Sequence, residues 1–310
     1  MNRINGICRN FLWGGKDSYY RAPAVSWDRC CIPKKEGGLG IKDPKTWNKA
    51  LFGKYVWWIA SKKDHLWVKW INHVYMKGTH WTSYSPPHDC SWSWKKIAHT
   101  METFKAAYVS DNWLGTSANY TPKEGYIWLR PSPPQVRWWK ICWNTLNIPK
   151  SAFIFWAASL GRLLTRDRML RMGFSQGVNC YICDEVLEDH PHLFYKCHFS
   201  NCCIQLLHQQ LDIRLDPTDL VNWYNRGRKY SLLIRKVVVA CHVMLTYLIW
   251  HTRNKARVHH QVPYPTLKRD SQQVTIVRVV IECLKFLEDQ GNKIAFITVN
   301  VNLKLSRVFF

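Results

Sequence analysis

Cys180-Tyr181-Ile182-Cys183, followed after eight residues by His192-Leu193-Phe194-Tyr195-Lys196-Cys197, is the stretch on which the reading of this chain turns. Three thiols and one imidazole at this spacing can close around one Zn²⁺. The tight Cys180/Cys183 turn presents two thiolates, and His192 and Cys197 complete a tetrahedron from the other side. A thiolate-rich set with every position filled suits structural zinc, because no site is left open for water. The competing reading is a group of buried, reduced cysteines beside a surface histidine. His190 rivals His192, but His192 leaves the shorter loop to Cys197 and precedes the apolar Leu193-Phe194, which would anchor it beside a core. Cys202 and Cys203 fall on the next expected helix and read as packing residues.

Outward from this motif, composition sets the bounds. The chain has 310 residues, enough for two or three modest domains, and 47% are hydrophobic, enough for a core. The formal net charge is +23. Such an excess disfavours a compact state unless a polyanion neutralises it, so the expected partner is RNA or DNA, held through phosphate contacts. The 12 cysteines, with no apolar leader at the N-terminus, read as reduced. An intracellular setting follows, the nucleus rather than the cytoplasm. The most apolar run, residues 237–250, is too short to span a bilayer and reads as a buried helix, so no membrane partner is expected.

The charge is unevenly placed. Its net is +10 over residues 1–80, +1 over 81–130, +3 over 131–210 and +9 over 211–310. The loop 184–189, inside the metal motif, is acidic and should not face phosphate. The basic candidates are Lys34, Lys35, Lys42, Lys45, Lys49 and Lys54 near the start, then Arg162, Arg166, Arg168 and Arg171 just ahead of the metal motif. Lys and Arg beside Trp and Tyr suit backbone neutralisation with base stacking. An ordinary solvated helix face is the competing reading for any one of them. The pairs Trp57-Trp58 and Trp138-Trp139 read as core, with one ring of each free to face outward.

Periodicity and punctuation predict a mainly α fold: helical segments flanking a small zinc-stapled module, with a few short strands. Three regions are expected: a helical region over 1–130, a zinc module over 131–210, and a helical region over 211–310 with an uncertain tail. Residues 33–40 read as a turn with close backbone approach. Asp43 or Thr46 can cap a helix carrying Trp47, Ala50, Leu51, Lys54, Tyr55 and Trp58 on one face. Further helices are expected over 66–75, from Trp92 to Met101, and over 136–146, 151–160 and 200–211. Thr165 can cap another that runs through Arg171. Beyond them, 217–224, 230–258 and 267–289 read as helical. Residues 112–115 and 125–129 read as short strands or loops, and 294–310 as a strand or an unfolded tail.

Catalytic signatures are missing. The chain contains no Asp-Asp pair, no G-x-x-x-x-G-K-[ST], no G-x-S-x-G and no H-E-x-x-H. No enzymatic role is expected.

Several separate motifs nevertheless resemble one family in its own order. Phe11-Leu12-Trp13-Gly14-Gly15, Val25-Ser26-Trp27-Asp28, the segment 32–41 and Trp47-Asn48-Lys49-Ala50-Leu51 resemble the region after the polymerase core in plant LINE-type (non-LTR) retrotransposon reverse transcriptases. Trp139-Lys140 with Trp143, Ile148-Pro149-Lys150, Phe155-Trp156-Ala157, Gly161-Arg162-Leu163 with Thr165, and the Cys/His motif resemble the zinc-binding domain of those enzymes. Trp250 with Arg253-Asn254 resembles their usual end. Leu164 stands where the family commonly has Pro. The resemblance implies the C-terminal part of such an enzyme, beyond the polymerase palm and its Asp-Asp motif. It further implies Cys180, Cys183, His192 and Cys197 as ligands to one structural zinc, binding to element RNA or target DNA, and a polymerase domain as a partner. Two rival expectations are an inactive retroelement relic and a zinc-supported protein-interaction module.

Overall fold

The computed structural model describes residues 2–18, 22–108, 119–174, 177–226 and 230–258. They form two compact units that divide between Pro134 and Gln135. The expectations for 112–115, 267–289 and 294–310 lie outside the described residues. The fold is mainly α, as expected. The short strands reduce, among the described residues, to one isolated antiparallel bridge between Asn179 and Leu187.

The first unit holds α1 (Asn2–Gly14), α2 (Trp27–Cys31), α3 (Pro44–Ala60), α4 (Leu66–Ile71), α5 (Trp92–Tyr108) and α6 (Pro122–Leu129). Asp43 starts α3: its carboxylate accepts from the Thr46 N–H at 2.8 Å and the Thr46 hydroxyl at 2.7 Å, with Pro44 preset at the first helical position. A core of Val56, Ile59, Ile71, Trp94, Ile97, Met101 and Phe104 joins α3, α4 and α5. Tyr120 wedges between α3 and α6, donating its hydroxyl to the Ala50 carbonyl at 2.6 Å. Two glycines make room for it. A Cβ on Gly125 would lie 1.9 Å from that hydroxyl, and one on Gly53 2.4 Å. Burial holds the Tyr120 phenol well above its ordinary range.

Residues 125–129 are helical, not strand or loop. A capping box starts α6: the Thr121 hydroxyl accepts from the Glu124 N–H, and the Glu124 carboxylate accepts from the Thr121 N–H. Residues 33–40 make the close approach expected of them. Lys34–Glu36 forms one 3₁₀ turn, and a Cβ on Gly38 would meet the Ile32 carbonyl oxygen at 1.9 Å. Arg130, at the end of α6, clamps this turn by donating to both Glu36 oxygens at 2.6 and 2.8 Å. Ahead of this turn, the end of α1 and all of α2 make the stretch 11–31 partly helical.

The second unit is built around α12 (Leu232–Val258). Helices α7 (Trp139–Cys142), α8 (Pro149–Ser159), α10 (His198–Leu211) and α11 (Leu220–Arg226) pack against it, and α9 (Arg166–Arg171) leads into the metal motif. The helix expected over 136–146 shrinks to α7. The Asn147 side chain donates to the Ile141 and Cys142 carbonyls, both at 2.8 Å, and so ends the helix early. At 27 residues, α12 is longer than its apolar run and has the length and composition that a membrane crossing requires. That corrects the length argument made from residues 237–250. In this fold α12 is the central core helix, buried at Val237, Val239, Cys241 and Val243.

A histidine pair joins α10 to α12. The His208 Nε2 and His242 Nε2 atoms lie 2.9 Å apart, and His242 Nδ1 lies 2.8 Å from the Val238 carbonyl. A carbonyl only accepts, so Nδ1 of His242 carries the proton and its Nε2 accepts from His208. Burial drives the His242 pKa down to about 4. The unfolded chain therefore takes up a proton below its ordinary value of about 6.5, while the folded chain stays neutral until about pH 4. Stability falls as pH drops through that window, by about 3 kcal/mol at most. Urea unfolding of the zinc-loaded chain at several pH values should show this acid limb. His242→Leu should flatten it relative to wild type; an unchanged limb would show that other groups cause it.

Candidate metal centre

The four predicted ligands come from three local devices. Cys180 and Cys183 sit on a tight hairpin. Its Cys180 N–H donates to the Val186 carbonyl at 2.8 Å, its Glu188 N–H donates to the Val178 carbonyl at 3.0 Å, and Asp184 takes the left-handed conformation (φ +58°) at the turn. His192 opens a single wide turn, His192–Lys196, whose first N–H donates to the Asp189 carboxylate at 2.6 Å. Buried Leu193 and Phe194 anchor that turn, as the sequence suggested. Cys197 then sits at the N-cap of α10, its N–H donating to the His192 carbonyl at 2.7 Å.

One ligand atom from each of Cys180, Cys183, His192 and Cys197 lies within 4.8 Å of all the others. A tetrahedron with metal–sulfur bonds of about 2.3 Å has edges of roughly 3.8 Å, so a small contraction closes this set on one zinc. Cys183 Sγ and His192 Nε2 are already 3.3 Å apart. Cys180 and Cys197 are fully buried. The Cys197 thiol and burial hold the Cys180 thiol far above its ordinary range, and burial raises Cys183 and lowers His192. The thiol shifts penalise negative charge that a bound cation would compensate, and the histidine shift favours the neutral imidazole that binds a metal. Backbone N–H groups also reach the sulfurs: Ile182 to Cys180 at 3.4 Å, and Glu185 and Val186 to Cys183. Such donors favour thiolate. The donor set fits a structural Zn²⁺ held by these four residues, and bound zinc would supply a cross-link, not a reacting water.

His190 lies outside the group; its Nε2 is buried with no partner among the described residues. Cys203 is buried in α10, and Cys202 lies 3.6 Å from His198 Nε2. Neither joins the cluster.

The basic candidates divide by environment. Lys34, Lys35, Arg162 and Arg171 are exposed, and Arg171 pairs with Asp167 at 2.8 Å. Arg166 is committed inside: it donates to the Asn179 carbonyl at 2.8 Å and lies 4.2 Å from the Tyr181 ring centroid. Arg168 is half-buried and donates to the Gly161 carbonyl at 3.1 Å. Burial, with Arg162 and Arg171 nearby, lowers its pKa. Lys34 and Lys35 belong to the first unit and the arginines to the second. Of the tryptophan pairs, Trp57, Trp58, Trp138 and Trp139 are all half-buried.

Sequence reasoning missed the centre's main support. Glu188, grouped with an acidic surface loop, is fully buried and paired with fully buried Arg253 of α12. Its Oε1 accepts from Arg253 Nε at 2.9 Å, Arg253 Nη2 at 2.5 Å and the Arg166 N–H at 2.9 Å. Its Oε2 accepts from the Tyr181 N–H at 3.0 Å. One carboxylate thus ties α9, the hairpin and α12 together. The sequence offered no signal that singled out Arg253, which stands among His251, Lys255 and Arg257 in the polar last turns of α12.

Residues 120–203 match the family described as zinc-binding in reverse transcriptase. A stretch of 147 residues, 46% of this chain, is 29% identical to "Putative ribonuclease H protein At1g65750" of Arabidopsis thaliana. That stretch covers 21% of the relative, so the chain spans about a fifth of its length. No solved structure matches the chain. The four converging donors all lie inside the matched segment, which is similar to the zinc-binding region of reverse transcriptases.

Proposed function

We propose that this chain is a non-catalytic, zinc-stabilised, nucleic-acid-binding part of a plant LINE-type retrotransposon reverse transcriptase, acting in the nucleus on RNA or target DNA. Zinc binding follows from the donor set and its family match. The formal charge of +23 carries the nucleic-acid reading. Lys34 and Lys35 in one unit and Arg162 and Arg171 in the other present exposed cations for phosphate. Zinc, on this reading, fixes the fold between residues 178 and 199 and leaves contact with phosphate to the flanking cations.

The relative's name includes ribonuclease H. Metal-assisted hydrolysis of that kind uses carboxylate-held cations. Among the described residues, the group able to hold a metal is the thiolate set. A polymerase domain supplied in the same or another chain is a second partner. Leu170 (42% exposed), Met172 (44%) and Phe174 (70%) favour a protein contact beside the zinc module.

The test is anisotropy with labelled RNA and DNA of one sequence across a salt series. The logarithm of the affinity should fall linearly with the logarithm of salt, by about 0.7 per phosphate neutralised on a single strand. Affinity that does not change with salt would sink the reading.

A further inference from the structure

The helices α3 and α4 of the first unit carry a surface that the metal centre does not use. Between Lys42 and Lys77 the sequence holds eight lysines and two aspartates. Asp43 caps α3, and Asp64, on the surface, pairs with Lys69 at 2.6 Å. The same stretch is rich in rings, and several are not covered by the core. Tyr55 is 39% exposed and Trp70 50%. The Tyr55 ring meets Trp58 at 5.6 Å and Trp67 at 5.4 Å, and Trp58 meets His65 at 4.9 Å.

Lysines interleave with these rings. Lys54 Nζ lies 4.9 Å over Trp58, and Lys63 Nζ lies 4.6 Å over Trp57. Lys62 is exposed in the turn between the helices, and Lys69 neighbours Trp70. Large apolar rings left at a surface cost solvation free energy unless something covers them. The cover that fits must offer flat π-faces and negative charge together, at a spacing that alternates rings with cations. Single-stranded nucleic acid does so: bases stack on the rings while the lysine stems, long and rotatable, swing to the phosphates. Stacked duplex bases do not offer their faces.

We propose that the exposed rings Tyr55 of α3 and Trp70 of α4, bridged by the Tyr55–Trp67 contact and accompanied by Trp58, Lys54 and Lys62, form a stacking site for single-stranded nucleic acid. The site rests on the nucleic-acid reading above and gives it a place outside the zinc module. Stacking is indifferent to base identity, so the site should bind with little sequence preference.

The test uses the full zinc-loaded chain and a fluorescein-labelled single-stranded RNA, with a duplex of the same length as comparison. Wild type should prefer the single strand. Tyr55→Ala and Trp70→Ala should each weaken single-strand binding roughly tenfold, with the salt slope kept and affinity recovered by Tyr55→Phe and Trp70→Phe. Lys62→Gln, at an exposed turn position, should instead lower the salt slope by about one. Alanine variants that bind like a binding wild type would overturn this placement and leave the nucleic-acid reading standing. Equal affinity for the duplex would overturn stacking. A wild type that binds neither RNA nor DNA would overturn both readings, and so would one that binds only vesicles of anionic lipid.

Discussion

Chelation of the metal, or Cys180→Ser, is expected to unfold the segment 178–199 and to lower the stability of the second unit by several kcal/mol. Beyond the Glu188 carboxylate, the hairpin has little backbone pairing to hold it. It contains one isolated bridge and no strand among the described residues. Two sulfurs of the centre, those of Cys180 and Cys197, are fully buried, and without a cation they must remain neutral thiols pressed against each other. Structural zinc contributes about 10–16 kcal/mol in isolated zinc-finger peptides. Here the Glu188 hub and the α10 packing retain part of the fold, so a smaller loss of about 4 kcal/mol is expected. That corresponds to roughly 10 °C in Tm for a unit of this size. Native mass spectrometry should find one zinc per chain in wild type and none in the Cys180→Ser variant. A chain purified without zinc, with a Tm that chelator does not move, would remove the metal from this account.

The metal centre was legible because its information is local. Cys180, Cys183, His192 and Cys197 lie within one short segment, and spacing alone restricts what four such donors can do. The same holds for α3, whose Asp43-Pro44 start is a cap read from adjacent residues, and for α12 with its long apolar run. The helix α6 was misjudged although its signal was equally local: Thr121-Pro122 followed by Glu124 is a capping box, outweighed in the reading by Gly125 and by aromatic residues common in strands. The length of α7 depended on where the Asn147 side chain would turn. The roles of Arg166, Arg168 and Glu188 were not local at all. In sequence Glu188 is one acid among four in a polar loop, and its partner Arg253 is 65 positions away. Charge patterning counts such residues as surface, and only the packing of α12 against the hairpin reveals that two of the charges are buried. The basic face proposed from residues 162–171 loses part of its donors in the same way, to carbonyls the sequence could not place.

Glu188→Ala is expected to be among the most damaging single substitutions outside the metal ligands. Both partners of the Glu188–Arg253 pair are fully buried, so truncating either leaves an uncompensated charge in a low-dielectric interior. Breaking such a pair costs about 3–5 kcal/mol. Glu188 should be the more costly side. Its loss frees the Arg253 guanidinium and also the Arg166 and Tyr181 N–H donors, whereas Arg253→Ala leaves the carboxylate its two backbone donors. The effect should reach the metal, because Tyr181 follows Cys180 and Arg253 lies 4.8 Å from the Tyr181 ring. Loss of an outer support of this kind weakens metal affinity about 10–100-fold. Urea unfolding with zinc in excess measures the stability loss, and competition with a chromophoric chelator measures the affinity. Glu185→Ala, on the exposed part of the same loop, should change stability by less than about 0.5 kcal/mol. A double replacement, Glu188→Gln with Arg253→Met, should cost less than the sum of the single changes, since no net charge is then left buried. If Glu188→Ala costs no more than Glu185→Ala, then the carboxylate does not tie the zinc hairpin to α12, and the metal alone orders that region.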